Sequence, residues 1–136
     1  MIDPKQTAMD FLQAFWDGDP AAGLVLCAPD AVWTFQKSLR EPRLASIAEA
    51  IDFLNTRLVA EFDPASGYSV DVHSVVGEGD EVAVEYSAKG KTRRGDLYHN
   101  DYHVRFTVRD GRIVSVRPYF DTHYVHRVLA RLDDDG

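Results

Sequence analysis

One stretch limits the fold of this chain more than any other. Between Tyr98 and Val108 every second residue belongs to the set Tyr98, Asn100, Tyr102, Val104, Phe106 and Val108. The residues between them, His99, Asp101, His103, Arg105 and Thr107, are polar or charged. A side-chain period of two is the pattern of a strand with one face in a core and the other in water. Asp110-Gly111 follows, a pair that tolerates the positive φ angles of a tight hairpin. A second strand is predicted from Arg112 to Phe120. It leads into Asp121-Thr122 and a helical pattern of Tyr124, Val125, Val128, Leu129 and Leu132. One amide, Asn100, and two phenols stand in the buried register of the first strand. Polar groups on such a face need partners from the protein or from a ligand, so a site is sought there.

Helices dominate the first half. Ala8, Phe11, Leu12, Phe15 and Trp16 share a helical face that opens at Asp3-Pro4. Asp17-Gly18-Asp19-Pro20 ends it, and Asp19 is placed to cap a short second helix through Leu26. A strand is predicted over 31–35, a loop over 36–43, and then a longer helix with Ile47, Ile51, Leu54 and Leu58 on one stripe. Asp63-Pro64-Ala65-Ser66-Gly67 ends that helix. Strands are predicted from Tyr68 to Val76 and from Glu81 to Lys89, with a basic loop from Gly90 to Asp96 after them. Helices followed by an antiparallel meander specify the α+β class, with helices packed on one face of a curved sheet. At 136 residues the chain is expected to be a single domain, 1–136.

Composition removes several functions. With 15 Lys and Arg against 22 Asp and Glu the net charge is −7, which opposes the counterion displacement that nonspecific nucleic-acid binding needs. The apolar runs are a few residues long, too short to span a membrane. A single cysteine, Cys27, cannot close an internal disulfide, and no basic, apolar leader opens the chain. The expected setting is the cytoplasm. His123 and His126 lie three apart on the last helix, without a cysteine pair or a His-Glu-x-x-His run. His99 and His103 are about 13 Å apart along a strand, too far to share one ion. No metal and no cofactor are therefore expected, and neither a phosphate-cradling glycine loop nor a Gly-x-Ser-x-Gly elbow is present. Lys89, Lys91, Arg93 and Arg94 form a basic patch that is either solvated or able to meet an anionic ligand.

The order helix, helix, strand, helix and four-strand meander resembles the cone-shaped fold shared by nuclear transport factor 2, ketosteroid isomerase, limonene epoxide hydrolase and the SnoaL-like polyketide cyclases. The residues carrying the resemblance are Asp30-Ala31-Val32-Trp33, Tyr98-His99-Asn100-Asp101-Tyr102, Asp110-Gly111-Arg112-Ile113 and Tyr119-Phe120-Asp121-Thr122. The resemblance implies a cone in which N-terminal helices pack on a curved, mainly antiparallel sheet. It implies a homodimer and a small, largely apolar organic ligand held between helices and sheet. For an enzyme it implies cofactor-independent proton transfer of the isomerase, cyclase or dehydratase type. A noncatalytic ligand carrier or a homodimeric association module is the alternative on the same fold.

The known chemistries of these relatives do not carry over residue by residue. Where limonene epoxide hydrolases resemble this chain in the run Val116-Arg117-Pro118-Tyr119-Phe120-Asp121, their catalytic carboxylate falls on Pro118, which moves no proton. Where ketosteroid isomerases use a Tyr and an Asp, this chain offers Phe15-Trp16 and Thr34-Phe35-Gln36. The SnoaL-like cyclases are similar in placing an acid at Asp121, which makes it the candidate catalytic residue. Its position just before a helix fits an N-cap, and a straight strand would send it away from the apolar face. A bulge near Pro118 would decide between the two by turning Asp121 toward the buried face. Asn100 and Tyr102, two apart on the buried register, are the candidate ligand-binding pair, with Tyr86, Trp33 and Phe15 as further pocket aromatics.

Overall fold

A computed structural model describes residues 3–129 of the chain. Helix α1, Pro4–Trp16, starts where Asp3 accepts the Lys5 N–H and Pro4 occupies the first turn. Its buried face is Thr7, Ala8, Phe11, Leu12 and Ala14. Asp19 caps α2, Pro20–Leu24, which ends two residues before the predicted Leu26. Strand β1, Cys27–Thr34, starts four residues earlier than predicted, because Cys27 already pairs with Ile113. Strand β2, Leu44–Ser46, lies inside a stretch without alternation and was not predicted. Ser46 and Glu49 form a reciprocal capping box at the start of α3, Ile47–Arg57, and a short 3-10 turn follows at Val59–Glu61.

Four long strands complete the sheet: β3, Tyr68–Glu78; β4, Glu81–Lys91; β5, Leu97–Arg109; and β6, Arg112–Phe120. The spatial order is β2-β1-β6-β5-β4-β3. Only β1 and β6 run parallel; every other neighbour is antiparallel. The result is the α+β cone: helices packed on one face of a curved, mainly antiparallel sheet. Asp110 and Gly111 take φ of 53° and 77°, the left-handed pair that joins β5 to β6 with the twist of the strands. Helix α4, Thr122–Leu129, follows; the predicted turn through Leu132 lies outside the described residues.

Two details position the site. β4 runs on to Lys91, through residues predicted as loop, because Gly90 pairs with both Tyr68 and Tyr98. And the bulge in β6 sits at Val114, where Thr107 pairs with Ser115 but Val108 pairs with Ile113. From Ser115 to Phe120 the register is unbroken, with Pro118 opposite Val104. No turn at Pro118 therefore reverses the residues beyond it.

Candidate functional site

The inner face of the sheet is a set of cross-strand rows. One row is Val72, Tyr86, Tyr102 and Phe120; the next is Val70, Ala88 and Asn100; the third is Tyr68, Gly90 and Tyr98. Period-two alternation thus gathers four phenols at one end of the sheet. Tyr86 and Tyr102 stack with centroids 5.0 Å apart and planes 9° from parallel. Trp16 of α1 stands edge-on to Tyr86 at 4.9 Å, and Phe62 stands edge-on to Tyr98 at 5.2 Å.

Between this face and the helices lies a cavity of about 470 Å³, a size that suits a small organic molecule. Phe11, Phe15 and Trp16 line it from α1, and Leu54 and Leu58 from the end of α3. Trp33, Tyr86, Tyr98, Tyr102, Val104 and Phe120 line it from the sheet. The segment from Val59 to Tyr68 borders the remaining side. This segment is tied to the β4–β5 connection by Asp63 N–H to the Lys91 carbonyl at 2.8 Å and by Arg93 N–H to the Glu61 carbonyl at 2.9 Å. The lining carries two charged side chains among the described residues, Asp63 and Arg93. Asp63 accepts the Ala65 N–H at 2.9 Å, and Arg93 donates Nε to the Ala60 carbonyl at 2.8 Å.

The polar centre of the wall is a chain of three side chains. Asn100 Nδ2 donates to the Tyr98 hydroxyl at 3.0 Å, and the Tyr98 and Tyr102 hydroxyls share a short hydrogen bond. Burial pushes the Tyr98 hydroxyl up to about 12, and burial likewise holds Tyr102, Tyr86 and Tyr68 well above the usual phenol range. At neutral pH all four are protonated, so they serve as hydrogen-bond donors rather than as bases. The Trp33 indole Nε1 is buried and unpartnered among the described residues, as is Gln36 Oε1.

Tyr102, Tyr86, Trp33 and Phe15 stand together in the lining. Two other expected residues fall outside it. Asn100 points inward and is buried, yet its amide is fully engaged with protein. Oδ1 accepts the Asp101 N–H at 2.9 Å, and Nδ2 reaches the Asp121 carbonyl at 3.3 Å besides Tyr98. It braces the phenols of the wall without lining the cavity. The exposed Asp121 carboxylate accepts the Tyr124 N–H at 3.0 Å, capping α4. The regular register of β6 sends it away from the cavity. Asp101, Asp71 and Glu85 are also exposed. Arg94 of the basic patch lies outside the lining and reaches the end of α4, donating to the Val128 and Leu129 carbonyls.

Among the lining residues that sequence reasoning did not name for the pocket are Trp16, Phe62, Asp63 and Tyr68. Tyr68 could have been found, since it shares the inner phase of β3 with Val70 and Val72. Phe62 and Asp63 lie in an irregular segment with no period to reveal their direction. Among the described residues no group of three or more His, Cys, Asp or Glu is arranged to hold a metal ion, and no helix is long and apolar enough to cross a membrane.

The chain matches the family model of the SnoaL-like domain over residues 8–116. No curated protein matches it. Among solved structures it is similar to an NTF2-like protein from Burkholderia thailandensis, with 27% identity, a TM-score of 0.78, and 93% of this chain and 97% of that one covered. It is similar to IdmH, a candidate polyketide cyclase from Streptomyces antibioticus, at 24% identity and TM-score 0.78, covering 98% and 100% of the two chains. It is also similar to TerC, co-crystallised with polyporic acid, at 20% identity and TM-score 0.77, covering 94% and 99%. The match spans most of the sequence, and the cone is the fold of these neighbours. The chain belongs to the SnoaL-like domain family.

Proposed function

We propose that the protein binds a small, largely apolar organic molecule between helices and sheet, with the Tyr98–Tyr102 pair hydrogen-bonding to it. The observation that carries this reading is the aromatic-walled cavity of about 470 Å³ with buried phenols in its wall. The polyporic acid co-crystallised with TerC, on the same fold, supports it. Isothermal titration with naphthalene should give saturable binding at one site per chain. Leu58→Trp, which fills the cavity from the end of α3, should abolish it while the chain stays folded. No binding to the wild type, or equal binding to the variant, would defeat the proposal.

Cofactor-independent proton transfer is the enzymatic form of the same reading, with the phenols stabilising a developing enolate oxygen. It needs an acid or base within reach of the ligand. Asp63 is the carboxylate of the lining among the described residues, whereas Asp121 would have to leave the α4 cap to take part. The noncatalytic carrier needs no such group and is the simpler reading. A homodimer through the outer sheet face, where His99, His103 and Arg105 are exposed, belongs to this proposal. Sedimentation at micromolar concentration should return a dimer; a monomer would remove that part of it. A cytoplasmic setting belongs to the same reading, on the ground that the single cysteine, Cys27, closes no internal disulfide.

A further inference from the structure

We infer that Tyr98 and Tyr102 act together as a single hydrogen-bond donor, held in place by Asn100, for an uncharged carbonyl oxygen on the bound molecule. The inference rests on the cavity reading above and follows from counting hydrogens. Asn100 Oδ1 accepts the Asp101 N–H, which fixes the other end of the amide as Nδ2. Its two hydrogens go to the Tyr98 hydroxyl and the Asp121 carbonyl. The two phenols then hold two hydrogens between them, and one lies in the bond that joins them. Whichever hydroxyl supplies it, one O–H remains. Among the described residues no further acceptor engages either hydroxyl. Both residues line the cavity, so the remaining hydrogen is available to an occupant. A hydroxyl that accepts one hydrogen bond donates the next more strongly, so the pair is a better donor than a lone phenol.

The surroundings select the acceptor. No lysine or histidine lines the cavity among the described residues. Arg93 has its Nε committed to Ala60, and Asp63 supplies negative charge on the same segment side. A carboxylate brought against the phenols would give up its hydration in a lining whose two charges, Arg93 and Asp63, sum to zero. A ketone or similar carbonyl needs only a single donor, which the phenol pair supplies. Asn100 touches no ligand in this scheme and is a positioning residue.

Three probes that share one ring system test the idea: naphthalene, 2-acetonaphthone and 2-naphthoate, each titrated by calorimetry. The ketone should bind about five- to tenfold tighter than naphthalene, the worth of one net hydrogen bond. The naphthoate should bind no tighter than naphthalene. The double variant Tyr98→Phe/Tyr102→Phe should level ketone and hydrocarbon, while each single Phe variant keeps part of the preference because one O–H survives. Asn100→Ala should shrink the ratio of ketone to naphthalene affinity, a ratio that a merely structural role would leave unmoved. Should that variant unfold, the Phe variants, which retain both rings, still decide the matter. Equal affinity for ketone and naphthalene, a preference that persists in the double variant, or tighter binding of naphthoate would each overturn the inference while leaving the cavity reading intact. Binding of none of the three would overturn both.

Discussion

Asp121 joins helix α4 to the phenol pair: its side-chain carboxylate caps the helix, and its backbone carbonyl accepts from Asn100. Removing the cap with Asp121→Ala should lower stability by about 1 kcal/mol, read from urea midpoints, whereas Asp121→Asn should cost much less because Asn caps nearly as well. Ligand affinity should hold in the Asn variant. Lost affinity with unchanged stability would return Asp121 to the ligand. Buried acids make a second test at this scale. Tyr98 is held up at about 12 and Cys27 at about 11, each by burial. In the unfolded chain they ionise near the usual values, about 10 and about 8.5, so the unfolded state releases these protons first as the pH rises. The stability they contribute is complete below about pH 8.5 and is lost as the pH climbs through the folded-state values. Urea midpoints should therefore be steady from neutral to mildly alkaline pH and fall beyond about pH 9. A midpoint that rises in that range would contradict the burial of these groups.

At the scale of elements, legibility followed periodicity. The alternation from Tyr98 to Val108 fixed the inner face of β5, and the Asp110-Gly111 pair fixed the turn into β6. Three-residue β2 has no period of its own and exists only by pairing with Val32, Trp33 and Thr34. The bulge at Val114 was invisible for a related reason: Ile113, Val114 and Val116 are all apolar, so nothing in their chemistry says which one is extra. For the site, the phase of Tyr102 and Tyr86 was readable from the strand pattern. The partners of Asn100 were not, because one of them is a carbonyl 21 residues further on. The Ser46–Glu49 box offers a prediction of its own. Ser46→Ala should cost about 1 kcal/mol by leaving the Glu49 N–H unpaired at the start of α3. A urea midpoint unchanged by the substitution would mean that β2 alone holds the helix start.

Over the whole molecule the two faces of the sheet carry different physics. Outside, Glu81 accepts Arg105 Nε at 3.0 Å and the Thr107 hydroxyl at 2.9 Å, and Arg117 stands 3.6 Å away. Thr107, predicted on the wet face, is thereby buried. This network crosses β4, β5 and β6 and is polar throughout. Inside, packing is governed by ring against ring, and one position there has no side chain at all. A Cβ on Gly90 would stand 2.9 Å from Phe62 Cδ1, closer than such atoms approach, and 3.0 Å from Cε1. Phe62 lines the cavity, so the absent methyl sets how far its ring can withdraw. On the binding reading proposed above, Gly90 acts as a gauge of ligand length. Gly90→Ala should push the ring inward and weaken binding of three-ring hydrocarbons well before that of naphthalene, so that a single methyl on the far side of an aromatic ring redraws the range of molecules admitted.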